Sequence, residues 1–193
     1  MNTPAHLLLG AAAFGRRGSG TVMIAALIGA MLPDLSLYLM AGTALFILQI
    51  APSRVFNELY FSDAWQTVFA IDNSFVIWGV LLGGAIWSQR GWAVALCGAA
   101  LLHLVFDFPL HHDDGRPHFW PVSGWVFESP LSYWDVRHGA RWVAPFEAAA
   151  AMCSAVLLLK HQPGVPMTVF ILILLAAELW VVRTWLFFFI DSV

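Results

Sequence analysis

Residues 101–121, LLHLVFDFPLHHDDGRPHFWP, bring together His103, Asp107, His111, His112, Asp113, Asp114 and His118, all able to ligate a metal, within a chain that is otherwise mostly apolar. Four residues turn a helix through about 400°, so His103 and Asp107 leave the same face one turn apart. Imidazole with carboxylate suits zinc, manganese or ferrous iron, and a water at an open coordination position would make such a site hydrolytic. Pro109 stops or kinks that helix. The Gly- and Pro-containing stretch behind it reads as a loop that can fold back over the helix end. A His and an Asp at this spacing also serve as plain hydrogen-bonding partners of neighbouring helices. Against that stands the cost of an ionisable group in an apolar span, about 2.5–3.5 kcal/mol on insertion scales, which makes such a group a functional-site hypothesis by default.

The elements that must position these residues are membrane helices. Of 193 residues, 60% are hydrophobic and 11% charged, with a mean hydropathy of +0.76. Soluble domains carry roughly 25% charged residues. The composition predicts an all-α, polytopic integral membrane bundle, with residues 1–193 forming a single domain. A net charge of −3 with one lysine and no basic run argues against a nucleic-acid partner. Cys97 and Cys153 lie in apolar spans without metal or redox spacing and read as packing residues. Arg16 and Arg17 follow the first apolar run instead of preceding it, so the start does not read as a cleavable signal.

Thr3-Pro4 is a cap and first turn for a helix over Ala5 to Phe14, with His6 in that first turn. Gly15 to Gly20 is a tight connection, and Thr21 to Leu32 is a second arm of similar length. Both arms are short for a span. As an antiparallel N-terminal hairpin they return the chain to its starting level, which predicts that His6 lies near Asp34, left at the end of the second arm by Pro33. Leu35 to Ser53, 19 uncharged residues, is the first full span. Arg54 to Ile71 mixes charge with aromatics, as an interfacial or partly polar returning helix would. Phe75 to Gln89 and Trp92 to Phe108 run out and back, which puts Asp72 on the same side as Asp107. Residues 119–140, with three tryptophans, read as an interfacial lid. Arg141 to Leu159 and a long Val165 to Ile190 complete the bundle, with Glu147, Glu178 and Arg183 as structural pairing residues. Arg16, Arg17, Arg54, Arg90 and Lys160 fall on one side against Arg116, Arg137 and Arg141 on the other, which puts the proposed site on the non-cytoplasmic face.

With His6 heading the first helix, GAMLPDL at 29–35 and HLVFD at 103–107, the chain resembles the LexA-regulated, membrane-bound predicted metal-dependent hydrolases of YdjM type over roughly its first 120 residues. A more distant likeness is to zinc-dependent phospholipase C. The resemblance implies an all-helical fold in which His6, Asp34, His103 and Asp107 are metal ligands. One segment departs from that family: where it carries His-Arg-Gly-x-Thr-His-Ser, this chain reads FAIDNSF, with no histidine between His6 and His103. Asp72 can replace one missing ligand, and His111, His112 or His118 can supply others from the loop.

The resulting expectation is a multi-pass protein of the cell inner membrane holding one or two divalent ions, zinc or manganese, through His6, Asp34, Asp72, His103, Asp107 and His111. Asp113, Asp114 or His112 would act as general base or position the substrate. The expected substrate is an amphiphile with a phosphoester or ester bond, and the expected partner is membrane lipid. The rival classes are a transport or metal-handling protein, a bis-histidine haem protein, and a non-catalytic membrane partner.

Overall fold

A segment crossing lipid must satisfy its backbone internally, and in an open chain only helices do so. The computed structural model describes residues 1–15 and 18–184 and is built accordingly: α1 (Thr3–Phe14), α2 (Gly20–Gly42), α3 (Pro52–Arg54), α4 (Asp63–Asp72), α5 (Phe75–Trp87), α6 (Gly91–Asp107), α7 (Ala140–Lys160) and α8 (Val165–Arg183). Among the described residues there is no strand. Four segments are long and apolar enough to cross a membrane, Gly20–Ile47, Asp63–Trp87, Ala140–Lys160 and Val165–Arg183, as a multi-pass membrane protein requires. Helices α1 and α6 are apolar but shorter. Arg16, Arg17 and the end of the last expected span, 185–190, lie outside the described residues.

The fold class is the expected helical bundle, but the second arm does not end at Pro33. Helix α2 runs through it to Gly42 and continues as a π-helical turn, Thr43–Ile47. Apart from Asp34 and Ser36, the residues around the proline are apolar, so breaking the helix there would leave several backbone groups without water or partners. Keeping the helix forfeits only one hydrogen bond. The first full span is therefore 20–47 and not 35–53, and Asp34 sits within a helix, half-buried, instead of at a free end. The Pro33 carbonyl accepts from Asn73 Nδ2 at 3.2 Å, which ties α2 to the end of α4.

Helices α1, α2 and α6 meet through small residues. Ala25, Ala26 and Ala30 of α2 pack on Ala95 and Ala99 of α6. A Cβ on Gly29 would stand 2.0 Å from the Leu96 carbonyl oxygen, and one on Gly10 would stand 2.6 Å from the Ala30 Cβ. Such close backbone approach is how helices associate where no hydrophobic effect separates lipid from leucine. It also brings the polar residues of the three helices within reach of one another.

The stretch between α6 and α7 folds back over the site end of the bundle, as the glycines and prolines implied. The His118 carbonyl accepts from Phe75 N at 2.8 Å, the Ser74 hydroxyl donates to the Trp120 carbonyl, and Ser129 N donates to the His111 carbonyl at 3.0 Å. His118 is buried between Phe75 and Phe108, and its Nδ1 donates to the Arg116 carbonyl at 2.8 Å. Burial pushes its imidazole down to about 4, and the bond to that carbonyl only partly opposes the shift. The folded loop thus holds His118 neutral, whereas an unfolded loop takes up the proton near 6.5. Stability should be full above about pH 6.5 and fall by up to about 1.4 kcal/mol per unit as the pH drops towards 4. Thermal unfolding in detergent followed by tryptophan fluorescence should show this slope, and His118→Gln should flatten it.

Candidate functional site

His6, in the first turn of α1, and His103, three turns into α6, meet because α1 and α6 cross at the small-residue seam. Their rings stack with centroids 3.6 Å apart and planes 12° from parallel. Asp107, one helical turn beyond His103, closes the group. One ligand atom from each of His6, His103 and Asp107 lies within 4.8 Å of the others, and all three residues are buried.

Asp107 is the hub. Its Oδ1 lies 2.8 Å from His6 Nε2 and 2.5 Å from the Met1 amino group, and its Oδ2 lies 3.1 Å from His103 Nε2 and 3.3 Å from His111 Nε2. Asp34 approaches from α2, with Oδ1 3.7 Å from His103 Nε2 and Oδ2 accepting from the Thr3 hydroxyl at 2.9 Å. Thr3 thus links the head of α1 to Asp34. Tyr38, one turn along α2, shares that hydroxyl at 2.5 Å.

The tautomer of His103 follows from its surroundings. Nδ1 lies 2.8 Å from the Ala30 carbonyl oxygen, which can only accept, so Nδ1 carries the proton. In a neutral ring the Nε2 lone pair then faces the oxygens of Asp107 and Asp34, and no hydrogen bond is aligned on it. A lone pair opposed to two carboxylates is unfavourable unless a positive charge stands between them, either a proton on Nε2 or a cation. An imidazole whose second nitrogen is held by a backbone carbonyl is also the arrangement in which metal-ligating histidines are found. His6 Nδ1 is likewise buried without a partner. The donor set of two imidazoles and a carboxylate, with a second carboxylate alongside, fits a divalent transition metal.

His111 stands between two carboxylates, with Nε2 towards Asp107 and Nδ1 2.9 Å from Asp114 Oδ2. Burial disfavours its charged form, but the Asp107 and Asp114 carboxylates close on either side of it outweigh this and raise its pKa. Asp114 is lowered for the reciprocal reason: its bond to His111, with help from Arg116 and Trp134, overcomes its own burial. Trp134 Nε1 donates to Asp114 Oδ2 at 3.2 Å, which joins the aromatic lid to the site. Tyr133, whose ring lies 5.2 Å from that of His111, is pushed well above its usual pKa by burial and the nearby carboxylates, so its phenol stays protonated.

Other residues proposed from sequence lie elsewhere. Asp72 is half-buried beside Ser36, within reach of the Arg116 charge. His112 turns away, with Nδ1 2.7 Å from the Ser129 carbonyl oxygen and its ring stacked on His138 at 3.6 Å. Asp113 is exposed. Of the three residues expected to do acid–base work, the structure joins Asp114 to the cluster, through His111. His138 belongs to a separate loop lock, in which Asp135 accepts from Arg137 and pairs with His138 Nδ1 at 2.8 Å, bonds that hold its carboxyl well below the usual range.

Sequence reasoning did not anticipate Thr3 as the partner of Asp34, with Tyr38 behind it, nor the position of Glu147 and Glu178. Both glutamates are buried and meet at Asn2: Glu147 accepts from the Asn2 backbone N–H, and Glu178 from its side-chain amide at 3.4 Å. The sequence signal was present in the hairpin geometry, which sends the head of α1 towards the returning helices. No protein family, curated protein or solved structure matches the chain.

Proposed function

We propose that the protein is a membrane-embedded metal-dependent hydrolase whose centre is His6, His103 and Asp107, with Asp34 and His111 at its edge. The observation that carries this reading is His103. Its Nδ1 proton is committed to the Ala30 carbonyl while Nε2 faces two carboxylates, an arrangement that a positive charge between them relieves and that supports a metal there. A divalent metal held there would supply Lewis-acid polarisation of the scissile bond and an acidified water.

The chain's own residues would do the rest. His111, set between two carboxylates that favour its charged form, is placed to give a proton at Nε2 to the leaving group. Thr3, itself bonded to the Tyr38 hydroxyl, holds the Asp34 carboxylate in place. The exposed Val122, Trp125, Val126 and Leu131 of the loop, together with Trp134, make a surface suited to the lipid–water boundary, which supports an amphiphilic substrate. The expected location is the cell inner membrane. The motif order shared with YdjM-type predicted hydrolases points the same way.

A specific observation favours a second reading, passage of an ion. Glu147 and Glu178 are buried in the spans α7 and α8 beside the cluster, where carboxylates are costly and commonly line ion pathways. One experiment separates the two. Protein purified without chelators, with bound metals counted by mass spectrometry, is tested for hydrolysis of phosphodiester and ester lipids and for metal flux in proteoliposomes. Turnover that depends on the bound metal supports the hydrolase. Flux without turnover would replace it with the pathway.

A further inference from the structure

Arg116 carries a charge into the interior: the residue is 6% exposed. Its guanidinium lies 4.3 Å over the ring of Phe69 and 5.6 Å from that of Tyr60, and its Nη2 donates to the Tyr60 hydroxyl at 3.1 Å. These contacts hold the group without an ion pair, and the Asp114 and Asp72 carboxylates meet its charge only from beyond contact distance. Among the described residues no carboxylate stands at ion-pair distance from it, and Nη1, with two N–H donors, is buried with no partner. A buried charge is ordinarily paired, because leaving it uncompensated away from water is costly. The loop fixes where this charge stands. Asp114, two residues earlier, contacts His111 and through it Asp107, while a Cβ on the intervening Gly115 would lie 2.9 Å from the Phe127 carbonyl oxygen and the Val126 Cγ1. The Arg116 charge acts on Asp114, which reaches the cluster through His111.

We propose that Arg116 is the receptor for an anionic oxygen of a phosphate or phosphoester group presented to the His6, His103 and Asp107 cluster. The guanidinium fork matches phosphate oxygens, and its charge would strengthen the contact as negative charge grows on them during displacement. A neutral ester brings no ground-state charge to pair with a buried arginine, whereas a phosphoester does, so this inference, which rests on the hydrolase reading, favours the phosphoester of the two substrate classes. The phosphate group can belong to a lipid headgroup or to a soluble molecule.

The test is direct binding. Isothermal titration of the purified protein with inorganic phosphate, and separately with nanodiscs containing phosphatidic acid against nanodiscs of neutral lipid alone, is compared with Arg116→Gln, Arg116→Lys and Tyr60→Phe. Binding in either arm that falls about tenfold or more in Arg116→Gln, and less in Arg116→Lys, is the expected result. Loss confined to the phosphatidic acid arm identifies a lipid headgroup, and loss confined to inorganic phosphate identifies a soluble phosphate. If Arg116→Gln fails to fold, the lysine and Tyr60→Phe variants decide, because the first keeps the charge without the fork and the second keeps the fork without its anchor. Wild-type protein that binds neither probe, or variants that bind as the wild type does, would overturn the proposal. Repeating the titration in a His103→Ala, Asp107→Ala background separates the two ideas. Binding that still depends on Arg116 there upholds the anion site even if no metal binds, whereas metal-dependent turnover without Arg116-dependent binding removes the anion site alone.

Discussion

Replacing His103 and Asp107 together with alanine is expected to reduce bound metal from about one equivalent to none and to abolish hydrolysis, while the chain still inserts and elutes as the wild type does. Three donors converge at the cluster, and the double variant removes two of them, including the carboxylate that every imidazole of the group faces. Metal assistance is worth several kcal/mol of barrier, so its loss should lower turnover by about 10³-fold or more. The bundle should tolerate the change. The α2–α6 seam packs through alanines and glycines and needs neither side chain for its contacts, although the Met1 amino group and His111 lose their carboxylate partner. The measurement is metal content by mass spectrometry beside hydrolysis of phosphoester lipids, with elution in detergent as the folding control. A double variant that keeps its metal and its turnover would place the catalytic centre elsewhere.

The sequence displayed the ligand types and their helical phase, but not all of their surroundings. His103 and Asp107 were visible because a four-residue spacing on an apolar helix admits one geometry. The nearness of α1 to Asp34 was visible as well, since two antiparallel arms of equal length return the chain to its start. The fate of Pro33 was not, because local propensity favours a break there, and the largely apolar environment that overrides it is a property of the assembled bundle. The roles of Asp72, Asp113 and His112 depended on loop paths that periodicity does not encode. Asp72 met Ser36 in the assembled fold, and His112 met His138, a residue many positions away in sequence. Arg116 stood in the sequence as the single cation between acidic and histidine residues, and what distinguishes it is that Phe69 and Tyr60, from a distant segment, bury it without pairing it.

Gly29→Ala should disturb both the fold and the site, although the residue touches no ligand. The added Cβ would stand 2.0 Å from the Leu96 carbonyl oxygen, 2.7 Å from its carbon and 2.8 Å from the Cα, all backbone atoms that no rotamer change can move aside. Helices α2 and α6 must therefore separate. Overpacking of this kind costs about 1–3 kcal/mol, and more where backbone is the obstacle. The displaced segment includes Ala30, the next residue, whose carbonyl accepts the His103 Nδ1 proton at 2.8 Å. Lengthening that bond releases the imidazole from the orientation that turns Nε2 towards Asp107 and Asp34, and loss of such an outer partner typically lowers metal affinity by about 10–100-fold. The expected result is a lower unfolding temperature in detergent together with weaker metal binding in the part of the protein that remains folded. Gly79→Ala is the control. A Cβ there meets nothing within 4 Å, and an alanine within α5 should leave metal binding unchanged and stabilise the helix by about 0.5–1 kcal/mol. If both variants bind metal as the wild type does, the Ala30 carbonyl does not orient His103 in the working protein, and the seam between α2 and α6 serves packing alone.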